Sequence, residues 1–577
     1  TGGAGEIDLQ ARLTRAEGTS VWRYLPRVVN RDTHDWVRNA IRRAVVPDAR
    51  LRLKGVLDNF PFRDGKGQFL VSIKVADALL DYAPGWPAID GIHGEVRFEG
   101  PGMRIEASSA RIFGVRLIDV VADVPDLDVL PSEIMTITGK AAGPTADFLR
   151  FVSESPVAGR IDHFTDGMRA EGNGILDLRL TMPMRKMVDT TVRGDYRFSA
   201  NRLWLVDGLP ALDAAGGRLT FTEDTLAVPE ARAQFLGAPL RLVGRTDADG
   251  SVRFAADGAF SLGALRAEWS RAADWPIVDH LSGGAPWKAD VRIGRGGTQV
   301  VVTSDLEGVS ASLPAPFNKP GNDAWPLRVE FSHPSGGEAL GISVDLAGRL
   351  TARLDRQAAG GAAWHGGIGI LQPLRAAEKG VMVSAEFDTL DVDAWRRALA
   401  TDDEAAHGDA AAQGESAPTL AGVAMQVREM RAFGQTLKSV QLRALADAGG
   451  WKARLDSDLA AGEFDWRHAG DGTLNAHFTH LTLAGDGDER AKGDERVKSA
   501  DALEEAPPRR LPGVDIVADR FSLRGMELGR LEVLARNRGG LWQLERLALV
   551  NADGRLSGSG RWQAAVDPAR ILITPGA

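Results

Sequence analysis

Histidines and paired carboxylates are the side chains of this sequence with the chemistry for acid–base catalysis or metal binding. His477 and His480 lie three residues apart, and Asp391 and Asp393 lie two apart. Such spacings would suit a metal site or a glycosidase pair. In LNAHFTHLTL, however, strand alternation places the two histidines on opposite faces, and Asp-x-Asp at a helix start is typical of capping. We therefore expect neither pair to form an active site.

Other signatures of catalysis and cofactor binding are absent from the sequence. It contains no glycine-rich nucleotide loop, no HExxH and no GxSxG motif. It has no cysteine, which excludes disulfides, thiolate metal sites and a cysteine nucleophile. With 69 Lys and Arg against 78 Asp and Glu, the net charge of −9 is too acidic for a protein whose main task is nucleic-acid binding. We predict a non-enzymatic protein with no cofactor, no metal and no nucleic-acid partner.

The fourteen tryptophans leave a carbohydrate-active function open, because aromatic faces stack on sugars. Trp86, Trp275 and Trp325 each precede a proline, however, and this pattern is more typical of a residue that anchors a turn. We interpret these tryptophans as structural.

The elements that would position any functional residue are mainly β-strands. Apolar residues alternate with polar ones, as in Val71, Ile73 and Val75, and this period of two is typical of half-buried strands. Asp-Gly pairs that signal hairpin turns recur along the chain, for example at 249–250 and 553–554. Hydrophobic residues at 44% and charged residues at 25% fit a folded globular chain. The pattern predicts a meander of antiparallel strands.

Short helices are predicted near residues 32–46, 144–153 and 391–400, where apolar residues follow helical spacing. We expect them to brace the sheet. The polar segments 401–418 and 485–510 contain too few apolar residues to offset the entropy of ordering, so we expect both to be flexible. Charge-rich segments also separate modules, but we favour insertions in hairpin loops.

The two polar segments separate the chain into three predicted β regions. Residues 1–400 are predicted to form a repeat-built β trough, and the meander continues over 419–484 and 511–577. No apolar run is long enough to span a membrane as a helix. The sequence begins in a strand pattern without an initiator methionine, so we expect a fragment of a longer chain whose membrane anchor lies outside it.

An internal repeat supports a single extended sheet. WPAIDGIHGEVRF at 86–98 aligns without gaps with LPALDAAGGRLTF at 209–221, and the match continues to Leu117 and Leu240. A repeated supersecondary unit stacks because one copy cannot bury its own apolar face. We predict an elongated sheet that curls, with its apolar face inside and arginines such as Arg97 and Arg179 outside. The pattern is compatible with an interior filled by side chains and with an interior left open as a trough. The residues expected to line the inside are Val96, Phe98, Met103, Ile105, Leu176, Leu178, Leu180, Leu219, Phe221, Leu226 and Val228.

Six stretches, in order, resemble the YhdP branch of the AsmA-like proteins of Gram-negative bacteria. They cover most of residues 20–562. In chain order they are VWRYLP at 21–26, LKGVLDNFPFRDGKGQF at 53–69, DALLDYAPGWPAIDGIHGEVRFEGPGMRIEASSARIFG at 77–114, SDLEGVSASLPAPFNK at 304–319, FDTLDVDAWRRAL at 387–399 and GRLSGSGRW at 554–562.

The resemblance implies a function as well as a fold. It implies a β-rich, taco-shaped trough in the periplasm, anchored to the inner membrane by a segment absent here, that carries phospholipid toward the outer membrane and supports its barrier. Phospholipid or another envelope lipid would be the ligand, and other envelope proteins would be partners. A second hypothesis is a non-catalytic scaffolding module that binds envelope proteins through its sheet edges. A third is a glycan-active enzyme.

Overall fold

The computed structural model describes residues 4–25, 29–127, 133–161, 163–205, 210–268, 276–294, 296–334, 340–356, 363–399, 418–468, 472–483, 512–538, 541–563 and 572–575. Within these residues, no helix is long and apolar enough to cross a membrane. The chain divides into two compact units: unit 1 comprises Thr1–Ser270 and Pro286–Arg295, and unit 2 comprises Arg271–Ala285 and Gly296–Ala577. The boundary lies inside the 1–400 stretch.

In its described residues, unit 1 is a meander of strands with four short helices. Its helices are α1 (Arg31–Ala40), α2 (Thr145–Ser153), α3 (Val157–Arg160) and α4 (Leu262–Glu268). Its strands are β1 (Glu6–Leu13), β2 (Ala16–Glu17), β3 (Ile41–Val56), β4 (Gln68–Leu80), β5 (Ile89–Glu99), β6 (Gly102–Ile112), β7 (Val115–Val124), β8 (Ile134–Pro144), β9 (Arg169–Pro183), β10 (Thr191–Trp204), β11 (Leu212–Thr222), β12 (Leu226–Phe235), β13 (Ala238–Thr246) and β14 (Val252–Ser261). Short 3₁₀ helices lie at Gly18–Tyr24, Leu57–Asn59 and Met187–Asp189.

The strands of unit 1 form one antiparallel ladder in chain order. Strands β1 and β2 both pair with β3, and each later strand from β4 to β14 pairs with the one before it. This arrangement confirms the predicted mainly β, antiparallel meander for this unit.

Unit 2 continues the same construction. Strand β15 (Leu281–Gly294) contributes residues 281–285 to unit 2 and 286–294 to unit 1. Where the structure describes this unit, its helices are α5 (Pro276–Asp279) and α6 (Val392–Leu399). The strands are β16 (Gly297–Ser304), β17 (Val309–Ser312), β18 (Asn318–Lys319), β19 (Leu327–Pro334), β20 (Leu340–Leu346), β21 (Leu350–Arg356), β22 (His365–Ile370), β23 (Gly380–Asp391), β24 (Leu420–Ala432), β25 (Gln435–Asp447), β26 (Gly450–Asp456), β27 (Ala460–Arg467), β28 (Thr473–Leu483), β29 (Gly513–Leu523), β30 (Met526–Arg538), β31 (Leu541–Val550), β32 (Arg555–Gln563) and β33 (Leu572–Pro575).

The ladder of unit 2 is mixed rather than purely antiparallel. It runs from β16 to β19 and then in chain order to β33, while β15, β17 and β18 pair among themselves. The pairs β22–β23, β23–β24 and β28–β29 are parallel. The prediction of an antiparallel sheet is therefore wrong at these three places.

Two of the parallel pairs correct our interpretation of the polar segments. The segment 401–418 lies between β23 and β24, and 485–510 lies between β28 and β29. A hairpin loop joins antiparallel strands, whereas parallel neighbours need a connection that returns the chain to the starting end of the sheet. Each segment therefore belongs to a crossover connection, not to a hairpin loop. Residues 401–417 and 485–510 lie outside the described residues, so their expected flexibility stays a prediction.

The three predicted helices are present, and one is shorter than expected. The structure has α2 and α6 within the predicted ranges 144–153 and 391–400, but the helix predicted over 32–46 ends at Ala40. Ile41 and Val45 fit a helical face, yet they pair with Leu80 and Ala76 of β4 in an antiparallel ladder. Tertiary pairing overrides local propensity here. Helices α3, α4 and α5 were not predicted.

The internal repeat corresponds to equivalent structural elements. Residues 86–117 supply β5, β6 and the start of β7, and residues 209–240 supply β11, β12 and the start of β13. Both copies carry a register shift near the start of the first strand, at the aligned positions Gly91 and Ala214, each with positive φ. The equivalence extends beyond the aligned sequence, because each copy continues through one more strand into a short helix, α2 or α4.

Candidate functional site

A row of directly paired apolar residues crosses unit 1 from β1 to β10. Residues paired across strands point to the same face of a sheet, so the row forms one continuous apolar stripe. Its members are Leu13, Ala49, Ile73, Val96, Ile105, Ala122, Ile137, Leu180 and Val192.

The other predicted lining residues lie on the same face, in neighbouring rows. Phe98 and Met103 pair with each other two residues away from the first row. Gly194 pairs with both Leu178 and Phe221, and Phe221 pairs with Leu226, so these residues form one row. Tyr196 pairs with both Leu176 and Leu219. Val228 pairs with Gly244. The structure thus brings all eleven residues to one side of the unit 1 sheet, which we call the apolar face.

The apolar face is only partly covered. Val228 is buried, with 8% of its surface exposed, and the other ten predicted residues are half-buried. At the edge strand β1, Leu9 and Leu13 are 40% and 49% exposed. Half-buried side chains in register over many strands leave apolar surface in contact with solvent, and such a surface favours an apolar ligand.

The opposite face of unit 1 carries arginines held by carboxylates, as the alternation predicts. Arg97 pairs directly with Arg104 across β5 and β6, and their guanidinium groups lie 2.9 Å from Glu99 and 2.6 Å from Glu106. The hydrogen bond to Glu106 raises the pKa of Arg104. Intrastrand pairs of this kind offset like charges that would otherwise repel across the ladder.

Unit 2 repeats the apolar face over an even longer row. The row begins at Val302 on β16 and continues to β32 through residues that are all apolar or glycine. Its members are Val302, Val329, Val344, Ala352, Ile368, Val383, Val423, Ala444, Ala453, Phe464, Ala476, Ile516, Val533, Leu547 and Gly558. Most of these residues are half-buried.

Two parts of the unit 2 face are buried instead. Ala518 and Leu531, which lie two residues from Ile516 and Val533 of the row, belong to one buried cluster. Beside α6, Phe387, Val427 and Val440 belong to a buried cluster in which Val427 is 2% and Val440 1% exposed. Val392 of α6 packs against this cluster. The remaining buried members are Ala385, Met430 and Ala432.

A polar clasp fixes α6 over this cluster. The Asp393 carboxylate accepts hydrogen bonds from the backbone N–H groups of Phe433 (3.0 Å) and Gly434 (3.1 Å) in the β24–β25 hairpin. These bonds, that of Gly434 first, lower the pKa of Asp393. The Arg396 guanidinium lies over the Phe433 ring, 5.3 Å from its centroid. An aspartate and an arginine three residues apart on one helix therefore clamp a Phe-Gly turn.

Unit 1 has a similar arrangement on α2. The Arg150 guanidinium lies 3.9 Å from the centroid of the Phe113 ring, in the β6–β7 hairpin. The Asp147 carboxylate lies so close to Gly114 that a Cβ at that glycine would overlap it. The sequence pattern predicted strands separated by turns, but it did not reveal these contacts between a helix and a Phe-Gly turn. Phe113 and Phe433 both adopt positive φ. The sequence signal for such a turn is a residue followed by glycine between two strand patterns.

The histidines and paired carboxylates, whose side chains could in principle serve catalysis, have structural contacts. His477 Nε2 lies 3.0 Å from Asp519 Oδ2, whereas His480 Nε2 lies 3.1 Å from the backbone oxygen of Ser457. Asp391 Oδ1 accepts a hydrogen bond of 2.7 Å from Ala394 N and so caps α6, as predicted. In the described part of the chain, no three His, Cys, Asp or Glu side chains gather in a way that could hold a metal ion.

The tryptophans next to prolines are packing residues where the structure describes them. Trp325 is 8% exposed, with the Arg349 guanidinium 4.4 Å from its ring centroid. Trp86 contacts Phe151 of α2 at a centroid distance of 5.8 Å. Both contacts confirm the structural interpretation, and Trp275 lies outside the described residues. The apolar face is therefore the feature that best fits a ligand.

Comparison with known proteins identifies a family and a curated relative. A family model described as YhdP protein matches residues 1–572. The chain is similar to the intermembrane phospholipid transporter YhdP of Escherichia coli (strain K12), with 24% identity over 337 residues. This alignment covers 56% of the chain but 26% of the relative, so the chain spans about a quarter of that protein's length. No solved structure gives a significant match.

Proposed function

The chain belongs to the YhdP protein family, and from that premise we propose that it shields the acyl tails of phospholipid along its apolar face. The supporting observation is the register itself. Apolar residues stay paired with apolar residues from Leu13 to Val192 in unit 1 and from Val302 to Leu547 in unit 2, and most of them are half-buried.

The physical reason for such a face is the cost of exposing lipid tails to water. Each methylene transferred into water costs about 0.8 kcal/mol, so roughly thirty methylenes cost about 24 kcal/mol. A continuous apolar face removes most of this barrier along its length. No catalytic group is needed for this task, and the name of the curated relative, a transporter, supports a non-enzymatic role.

The cellular setting belongs to the same proposal. We place the chain in the periplasm, as a segment of a longer protein anchored in the inner membrane, where it supports phospholipid transport to the outer membrane and the integrity of the envelope. The relative is named as an intermembrane phospholipid transporter, which supports this setting.

Native mass spectrometry of the detergent-free protein tests the proposal. We expect phospholipid to co-purify with the chain and to be lost on extraction with organic solvent. A folded protein that carries no lipid under any mild preparation would contradict the proposal. A stable protein partner in place of lipid would favour the scaffolding hypothesis instead.

A charge placed on the apolar face sharpens the test. Leu178 and Arg179 are neighbours on β9, but Leu178 lies on the apolar face, opposite Gly194, and Arg179 lies on the other, opposite Arg193. We expect Leu178→Glu to abolish lipid co-purification while the strands remain formed, because a carboxylate beside acyl tails would lose its hydration. The matched control Arg179→Glu should keep the lipid. Equal lipid in both variants would show that this face does not hold it.

A further inference from the structure

Aromatic rings on the apolar face of unit 1 lie over glycines of the adjacent strand, where they occupy the space of a Cβ. Phe221 on β11 pairs directly with Gly194 on β10, and a Cβ at Gly194 would lie 2.6 Å from Phe221 Cε2 and still closer to Cζ. Such a separation is far below van der Waals contact. The ring therefore occupies the space that any side chain at position 194 would need.

The same geometry recurs in neighbouring strands. Phe254 on β14 pairs with Gly244 on β13, where a Cβ would lie 2.6 Å from Phe254 Cε1. A Cβ at Gly174 on β9 would overlap the Tyr196 ring of β10. In each case the ring belongs to the later strand and covers a glycine on the strand before it.

A fourth, looser pair extends the series. Trp287 of β15 lies against Gly258 of β14, with Cζ2 3.1 Å from the position of a Cβ. Gly258 pairs with Leu240, which is buried at 6% exposure.

Gly194 and Gly244 occupy the face proposed to hold lipid. Gly194 pairs with Leu178, and Gly244 pairs with Val228. A phenyl ring that stood upright from the sheet would project into the space above this face. Laid over a glycine, the same ring adds apolar area while it stays close to the backbone.

We propose that these glycines are positioning residues that set the depth available to acyl chains. Because the glycines have no side chain, the aromatic rings can stay close to the sheet. This inference rests on the proposed lipid-binding function and deepens it. It explains why positions 194 and 244 are glycine, since any side chain there would overlap Phe221 or Phe254. A methyl group at either position would lift the ring toward the ligand by steric overlap.

The alternative is that each ring only stabilises a strand that contains glycine, because an aromatic neighbour compensates for the missing side chain. The two explanations differ in the expected effect of removing the ring. If depth matters, a smaller residue at position 221 should restore binding to a chain with alanine at 194. If only strand stability matters, the second substitution should destabilise the protein further and should not restore lipid binding.

The experiment uses the full chain and vesicles of phosphatidylethanolamine and phosphatidylglycerol that carry a pyrene-labelled acyl chain. We compare labelled lipid bound per chain for wild type, Gly194→Ala, Gly244→Ala and the double variant Gly194→Ala/Phe221→Leu. Circular dichroism and urea unfolding report the fold. Gly159→Ala in α3 is the control, since a Cβ there meets nothing within 4 Å.

We expect each single variant to bind labelled lipid about tenfold more weakly, the lower end of the effect of one methylene in a hydrophobic site. The double variant should recover most of the loss, and Gly159→Ala should match wild type. Should Gly194→Ala not fold, Gly258→Ala provides the same test at the looser Trp287 contact. Folded variants that bind like wild type, or a double variant that does not recover, would overturn this inference alone. A wild-type chain that binds no lipid would overturn the proposed function and this inference together.

Discussion

The face around Phe331 and the face around Phe387 are the same side of one ladder, yet only the second is sealed. Phe331 lies two residues from Val329 on β19 and is 40% exposed, whereas Phe387 lies four residues from Val383 on β23 and is 9% exposed. Alternation alone therefore does not make a closed core. At the Phe387 cluster, Val392 of α6 packs against the buried residues.

This contrast separates two uses of the same strand pattern. Beside α6, apolar residues contribute to stability by mutual burial. Along the uncovered rows they contribute less to stability and leave surface free for a ligand. Substitutions in the two regions should therefore change different measurements.

The largest effect on stability is expected at the sealed cluster. Phe387→Ala should lower the free energy of unfolding by about 3–5 kcal/mol, because it leaves a cavity among buried neighbours. Phe331→Ala, the matched change at an exposed site, should cost roughly 1–2 kcal/mol. Urea unfolding followed by circular dichroism measures both. Equal losses would mean that the two regions are not packed differently.

The next effect concerns the clasp that holds α6 in place. Asp393→Ala removes the acceptor for two backbone N–H groups and should cost about 1–3 kcal/mol. The side chain of Asp393 is 32% exposed, so the lower part of this range is expected. Asp388→Ala is a suitable control, because Asp388 lies on β23 but is 85% exposed and forms an ion pair with the exposed Arg428. A smaller loss for Asp393→Ala than for Asp388→Ala would exclude a stabilising role for the clasp.

The clasp should also depend on pH in a defined direction. The backbone N–H groups of Gly434 and Phe433 lower the pKa of Asp393 from its ordinary value in the folded protein. A carboxyl with a depressed folded pKa contributes stability above its unfolded pKa and loses that contribution as the pH falls through its folded pKa. The stability difference between wild type and Asp393→Asn should therefore be full at pH 7 and shrink below about pH 4. A difference that grows on acidification would contradict the assigned bonds.

The sequence predicted the face of each residue better than the path of the chain. Leu178 and Arg179 were placed on opposite faces correctly, because a period of two leaves little choice once a strand is recognised. Strand direction is not encoded in that period, so the parallel pairing of β23 with β24 was missed. The end of α1 was also missed, since Ile41 and Val45 satisfy both a helical and a strand pattern.

The contacts between side chains of the candidate site could not be predicted from the sequence. Gly194 and Phe221 are far apart in sequence, and only the register of β10 with β11 places one over the other. The bonds from Asp393 to the Phe433 turn likewise join a helix to a hairpin across residues 400–417. The pattern showed which side chains face the same way, and the pairing register decided which of them touch.

The smallest effect is expected on the charged face, next to a residue of the apolar row. Arg97 follows Val96 on β5, points to the other face and lies 2.9 Å from Glu99, with 46% and 66% of the two side chains exposed. Exposed ion pairs contribute roughly 0–1 kcal/mol, so Arg97→Ala should barely shift the urea midpoint and should leave bound lipid unchanged. Val96→Glu, one residue away, should remove lipid, as we expect for Leu178→Glu. If Arg97→Ala reduced bound lipid as strongly as Val96→Glu, both faces would contribute to lipid binding. The assignment of lipid to the apolar face alone would then be wrong.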